Sequence, residues 1–293
     1  MGNSIAAVAA VVFGLAVGSF LNVLIVRLPA SERITGRSRC PRCRKPIAWF
    51  HNVPVLSYLF LGGRCAHCKK RISWQYPAVE LATALLFMLV AMKYFGQEGL
   101  DANSIIRNFP PFDFFFSKVG GTPPAAVAQF AIHQWLFIIR DLTFVAVLVA
   151  VFVIDLKYYL ILDVIVLPAA VLALIANLLL GRSWVNLAIG AILGTGFFLL
   201  QYWISRGRWI GDGDVRLGLL LGLMVGYPGI LVALFFAYSV GAVVGVALLA
   251  ARLKRFGSVL PFGTFLSAGG IFTLLYGEAV VRWYLGMLGL RVG

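Results

Sequence analysis

Residues 142–163 read LTFVAVLVAVFVIDLKYYLILD. An unbroken apolar run ends at Asp155, a short break carries Lys157, and a second apolar run opens around Asp163. About 20 apolar residues cross a bilayer as a helix, so this stretch predicts two membrane helices joined at a surface. A carboxylate at a hydrocarbon boundary is costly and is kept mainly where it is used. The pattern recurs at Gly211-Asp212-Gly213-Asp214, ahead of another apolar run, so four of the eleven acidic residues stand at such edges. That placement points to acid–base chemistry at a membrane surface.

The rest of the chain agrees with a membrane fold. Of its 293 residues, 61% are hydrophobic, and the mean hydropathy is +0.94. Soluble domains sit nearer 45–50% apolar. The expected fold is an all-α polytopic membrane protein of about eight transmembrane helices, near 3–27, 76–95, 134–155, 159–181, 184–205, 214–227, 229–251 and 263–281. Residues 2–26 lack the basic start and small-residue cleavage site of a signal peptide, and are expected to remain as the first span. Residues 96–133 carry Pro110-Pro111, Gly120-Gly121 and Pro123-Pro124 around the aromatic run Phe112–Phe116. An irregular outer loop is expected there.

Twenty-five Lys and Arg against eleven acids give a net charge of +14. In a soluble protein that balance would suggest nucleic acid. Here eleven of the basic residues fall between Arg27 and Arg71, directly after the first span. Short basic loops mark the cytoplasmic side, and anionic lipid headgroups account for the charge without nucleic acid. Alternation from an outside N-terminus places 28–75, 156–158, 206–213 and 252–262 inside. With Arg27 and Arg216 at their flanks, these segments hold eighteen of the basic residues. The organisation is therefore a first helix over 1–27, a cytoplasmic loop domain over 28–75, and a bundle over 76–293 that includes the outer loop 96–133.

All four cysteines lie in that inner loop, as Cys40-Pro41-Arg42-Cys43 and Cys65-Ala66-His67-Cys68. A reducing compartment disfavours disulfides. Two Cys-x-x-Cys knuckles at this separation are the pattern of a tetrahedral Zn²⁺ site with Cys40, Cys43, Cys65 and Cys68 as ligands. Four sulfur ligands leave no open coordination position, so the metal is structural, and it supplies folding free energy that so short a loop cannot draw from a core. The rival readings are free structural thiols or a redox pair.

A continuous helix would set Asp155 and Asp163 about 12 Å apart, too far to share a proton. Asp212 and Asp214 are near neighbours in a glycine turn and tend to splay. A working pair therefore takes one acid from 155–163 and one from 212–214. Two carboxylates held close divide the labour, one as acid and the other activating water, which is aspartyl-protease chemistry. Gly211 and Gly213 are expected to permit positive φ and close backbone approach. The competing reading makes each aspartate a helix cap or an ion-pair partner of Arg208 or Arg216. Asn22 reads as an interhelical hydrogen-bond partner, and Glu80 as either a substrate or cofactor contact or an ion-pair partner for a loop arginine. Arg140-Asp141 reads as an internal pair at the outer interface.

Taken together, the chain resembles the bacterial type IV prepilin peptidases, also called leader peptidase/N-methyltransferases. The resemblance is carried by Gly18-Ser19-Phe20-Leu21-Asn22 with Arg27-Leu28-Pro29, by the cysteine knuckles with Pro54-Val55-Leu56-Ser57 between them, and by Tyr76-Pro77 through Glu80. Ile154-Asp155, Asp163, Gly211-Asp212-Gly213-Asp214 and Pro261-Phe262-Gly263 complete it. It implies an aspartyl endopeptidase of the bacterial inner membrane that cuts the basic leader from prepilins and pseudopilins at the cytoplasmic face. It places the catalytic carboxylates on Asp155 and Asp214, with Gly211, Gly213, Asp163 and Asp212 in support. It also implies methylation of the new N-terminus with S-adenosylmethionine, for which no residue is assigned. The chain departs from the family pattern at Leu162 and Thr264, where prolines are usual, and at Lys157, where an acid is common. The alternatives are a peptidase without methyl transfer, a transporter using the aspartates as cation sites, and a zinc scaffold without catalysis. Oligomeric state is not legible.

Overall fold

The computed structural model describes residues 2–95, 124–255, 258 and 260–289, with side chains for 5–95, 134–255, 258 and 260–289. The described residues are helical apart from turns and two isolated bridges, Arg39 with Pro46 and Arg64 with Arg71. In chain order the helices are α1 (Gly2–Arg27), α2 (Leu56–Phe60), α3 (Gln75–Phe95), α4 (Pro124–Tyr158), α5 (Asp163–Leu179), α6 (Trp184–Ser205), α7 (Asp212–Val225), α8 (Gly229–Ala250) and α9 (Phe262–Met287). Six of them are long and apolar enough to cross a membrane: α1, α3, α4, α6, α8 and α9. The shorter α5 is apolar as well, so the structure approaches the eight membrane helices expected, with the 14-residue α7 too short to count as a span, and the protein is a multi-pass membrane protein.

Two boundaries differ from expectation. The outer loop expected over 96–133 ends early, because α4 already begins at Pro124. A proline at the first helical position gives up no hydrogen bond, and the alanine-rich stretch behind it favours helix. The remaining breakers, at 110–111 and 120–121, lie outside the described residues. The second span of the opening stretch starts at Asp163 rather than 159. Tyr159 adopts φ 56° and its N–H closes on Asp155 O at 2.9 Å, a left-handed stop that leaves 160–162 unwound.

Small residues let the helices touch. Along the antiparallel α1–α3 pair, a Cβ on Gly14 would lie 2.7 Å from Ala84 Cα, and one on Gly18 would lie 2.7 Å from Glu80 Cα. Gly190 and Gly194 of α6 press likewise on Gly222 and Gly218 of α7. Without a hydrophobic drive between helices in lipid, such close van der Waals packing holds a bundle together. The short α7 sits at the centre, with Leu217, Leu220, Leu221 and Met224 buried among Phe198, Ile230 and Leu266.

At the end of the bundle away from Asp155, a polar knot ties four helices. Arg140 Nη2 pairs with Asp141 Oδ1 at 2.7 Å, as the internal-pair reading expected, and Arg140 Nη1 donates to Asn177 Oδ1 at 3.1 Å. Lys93 and Tyr94 donate to Asp141 Oδ2 at 3.3 and 2.7 Å, and Lys93 also donates to Leu274 O at 2.7 Å. At the opposite end, the segment between α1 and α3 forms a lobe. Arg27 organises its start by donating to the carbonyls of Arg33, Ile34, Thr35 and Arg37.

Candidate active site

Asp155 sits one turn from the C-terminal end of α4, and Asp214 in the first turn of α7. Both are buried, at 5% and 7% exposure. Asp214 lies close enough to Asp155 for the charge of one to act on the other. Asp155 Oδ2 accepts two hydrogen bonds from one residue, Thr264 N–H at 2.6 Å and Thr264 Oγ1 at 3.0 Å. Asp214 Oδ2 accepts from Gly211 N–H at 3.2 Å. Asp214 Oδ1 is buried with no partner. A buried carboxylate oxygen left unpaired is expensive, and no group among the described residues satisfies it.

The remaining two aspartates take a different position. Asp163, at the start of α5, and Asp212, at the start of α7, both bind the guanidinium of Arg216, Asp212 Oδ2 at 2.7 Å from Nη2. Asp163, Asp212 and Arg216 are exposed to solvent to different degrees. The four acids thus separate into an inner pair, Asp155 with Asp214, and an outer pair bridged by Arg216. Each pair draws one residue from each segment. Arg216 is the ion-pair partner expected for the outer acids, whereas Arg208 donates to Ser205 O.

The glycines act through space, not through backbone freedom. Neither Gly211 nor Gly213 has positive φ: Gly211 caps α7 in an extended conformation with φ −74°, and Gly213 lies within the helix. The expectation of left-handed turns there is corrected. What Gly213 supplies is clearance, since a Cβ would stand 2.8 Å from Ile161 Cβ. Gly263 at the start of α9 does the same for the site itself, where a Cβ would fall 3.1 Å from Asp155 Cγ and 2.9 Å from Ile161 Cδ1. That absence lets Thr264 reach Asp155. Sequence reading noted Thr264 as a departure and missed its role, because a hydrogen bond across 109 residues leaves no local pattern.

The cysteine cluster lies in the lobe beside this end of the bundle. The ligand atoms of Cys40, Cys43, Cys65 and Cys68 all lie within 4.8 Å of one another, and Cys40 Sγ is 3.9 Å from Cys68 Sγ. A tetrahedral Zn²⁺ with bonds of about 2.3 Å sets its sulfurs about 3.8 Å apart, so the donor set fits that ion. The knuckles fold back as expected: Arg44 N–H closes on Cys40 O at 2.9 Å and Lys69 N–H on Cys65 O at 3.0 Å. The sulfurs act on one another: amide N–H groups of Cys68 and His67 hold the Cys65 thiol down at about 6, while burial and the neighbouring cysteines push the Cys68 thiol up to about 11.

Glu80 of α3 is buried, and no ion pair with a loop arginine forms among the described residues. Instead Glu80 Oε2 accepts Val55 N–H at 2.8 Å, tying the lobe to α3, and Ser19 of α1 hydrogen-bonds the same carboxylate. Asn22 Nδ2 donates to Tyr76 O at 3.0 Å, the helix-to-helix bond that was expected of it.

Comparison with known proteins follows this geometry. Residues 12–94 match the bacterial peptidase A24 N-terminal domain, and residues 142–246 match the type IV leader peptidase family. The prepilin leader peptidase/N-methyltransferase of Aeromonas salmonicida is 32% identical over 307 residues, covering 94% of this chain and 92% of its own. That of Pseudomonas aeruginosa is 31% identical over 310 residues, covering 96% and 94%. That of Bacillus subtilis is 31% identical over 281 residues, covering 94% and 96%. No solved structure matches the chain.

Proposed function

The chain belongs to the type IV leader peptidase family, and from that premise we propose that it cuts the leader from prepilins and pseudopilins with Asp155 and Asp214 as its catalytic dyad. The observation that carries the reading is the inner pair: two buried carboxylates from separate helix ends, one with an oxygen that no group among the described residues satisfies. A water or a peptide carbonyl at Asp214 Oδ1 meets both acids. One carboxylate takes a proton from the water as it attacks the scissile carbonyl, and the other delivers a proton to the departing amine. Thr264 holds Asp155 Oδ2 in one orientation throughout, so the attack geometry is set before substrate arrives.

The dyad and the basic lobe share one end of the bundle, and the positive charge of residues 28–75 supports placing that end in the cytoplasm of the bacterial inner membrane. Cys40, Cys43, Cys65 and Cys68 would hold a structural Zn²⁺, which would supply folding free energy to the lobe. The relatives' name also supports methylation of the new N-terminus. S-adenosylmethionine, when bound, supplies an electrophilic methyl group. The unpartnered Asn22 Oδ1 and the Glu80 carboxylate are acceptor oxygens of the kind that an amine or a sulfonium requires. Incubation of the purified protein with a prepilin tests the reading directly. Asp155→Asn and Asp214→Asn are expected to lower cleavage by at least about a thousandfold while the protein stays inserted and keeps its metal. Normal leader removal by either variant would sink the dyad.

A further inference from the structure

Glu80 is a buried acid that the cleavage chemistry leaves unused. It is 7% exposed, and its partners are neutral donors: the Val55 amide from the lobe and the Ser19 hydroxyl from α1. No cation pairs with it among the described residues. A carboxylate taken out of water without a counter-charge is costly unless it serves a ligand or a proton. The backbone around it is strained as well: Val55, a β-branched residue, sits at φ 60° to aim its N–H at Glu80.

An unsatisfied group stands one turn away. Gly14 meets Ala84, Gly18 meets Glu80 and Asn22 meets Tyr76, so α1 and α3 run antiparallel in a constant register. Asn22 therefore lies one turn nearer the lobe than Glu80. It is 2% exposed, and its Oδ1 is buried with no partner. A buried acid without a counter-charge and an amide oxygen without a partner among the described residues thus stand one turn apart along the same α1–α3 pair. The α1–α3 seam and the dyad lie at the same end of the bundle. Lys157 of α4 donates to Gln75 at the start of α3 at 2.8 Å, which brings the two helix ends level. From that level Asp155 lies about 3 Å in and Glu80 about 7.5 Å in, at 1.5 Å per residue.

Cleavage at the dyad creates one new cationic group, the α-ammonium of the mature pilin. We propose that Glu80 and Asn22 form the receiving site for that amine, an inference that rests on the two-step reading given above. The ammonium gives one proton to the Glu80 carboxylate, and Asn22 Oδ1 accepts a hydrogen bond from the resulting amine. The amine nitrogen then bonds to the methyl carbon of the sulfonium donor, the carbon–sulfur pair leaves with sulfur as a thioether, and the product is a methylammonium. Glu80 returns its proton to solvent. Val55 and Ser19 hold the acid in place and do not compete for that proton, because both are donors to it.

The test is binding of two synthetic peptides with the residues that follow the cut, one with a free N-terminus and one acetylated, without methyl donor. The unaltered protein is expected to prefer the free amine by about tenfold or more, the scale of a charge-assisted contact. In Glu80→Gln the preference should fall to about one. Glutamine keeps an oxygen for the Val55 amide, so the lobe stays anchored, and equal zinc content verifies it. A preference that survives in Glu80→Gln, or that is absent from the unaltered protein, overturns the site. Methyl transfer to the cut pilin, followed in the same preparation, separates the two levels of the argument. Its absence from the unaltered protein overturns both, whereas methylation by Glu80→Gln at the unaltered rate overturns this inference alone.

Discussion

Thr264 makes two bonds to Asp155, through its N–H and its hydroxyl, that a proline at this position cannot make. Thr264→Val removes the hydroxyl bond and leaves the amide bond. It is expected to slow prepilin cleavage about five- to tenfold, the worth of one hydrogen bond of about 1 kcal/mol, read as kcat on purified substrate. The outer acids are predicted to behave otherwise. Asp163→Asn and Asp212→Asn each break one arm of a partly exposed bridge to Arg216, and such pairs contribute about 0–1 kcal/mol. Cleavage should stay within about fivefold of normal in both. A collapse of activity as deep as in Asp155→Asn would show that the outer pair takes part in the chemistry.

At the level of elements, the lobe between α1 and α3 has little apolar core and hangs on three devices. Arg27 gathers the carbonyls of 33–37, Glu80 holds the Val55 amide, and the four sulfurs converge. The sulfurs should dominate, because metal binding is folding free energy for a loop of this size. Cys40→Ser or Cys68→Ser is predicted to release about one equivalent of zinc and to open residues 28–74 to protease, with the membrane helices intact. Elemental analysis and limited proteolysis on one sample would check it, and an unmodified protein free of zinc would refute the ligand set. The central α7 makes the complementary point. Glycines on α6 let it pack at backbone contact distance, and its first turn is thereby held where Asp214 meets Asp155.

Across the whole molecule, the bundle is fastened at both ends. The dyad end is drawn together by Thr264 on Asp155, and the far end by the knot of Arg140, Asp141, Lys93, Tyr94 and Asn177. Asp141→Asn leaves Arg140 buried without its counter-charge. The predicted cost is about 3 kcal/mol or more, seen as a lower thermal midpoint in detergent, with cleavage per folded molecule unchanged. How much of this was readable beforehand follows from the range over which each feature acts. Membrane spans, the zinc knuckles and the basic inner loop are written in runs of neighbouring residues, because hydrocarbon thickness and metal geometry impose local periods and spacings. The pairing of Asp155 with a 212–214 acid followed from chain geometry, and Asp214 in particular from family resemblance. By itself, then, the sequence determined the class of fold, the paired cysteine knuckles, and the two segments from which a pair of acids can be drawn. Only the tertiary structure decided that Thr264 orients Asp155, that Arg216 removes Asp163 and Asp212 from the inner pair, and that Glu80 meets an amide instead of an arginine. Apart from the Arg216–Asp212 pair, four residues apart on one helix, those contacts join residues from 25 to 109 positions apart, and no local pattern constrains which distant partner fills a buried group's last hydrogen bond.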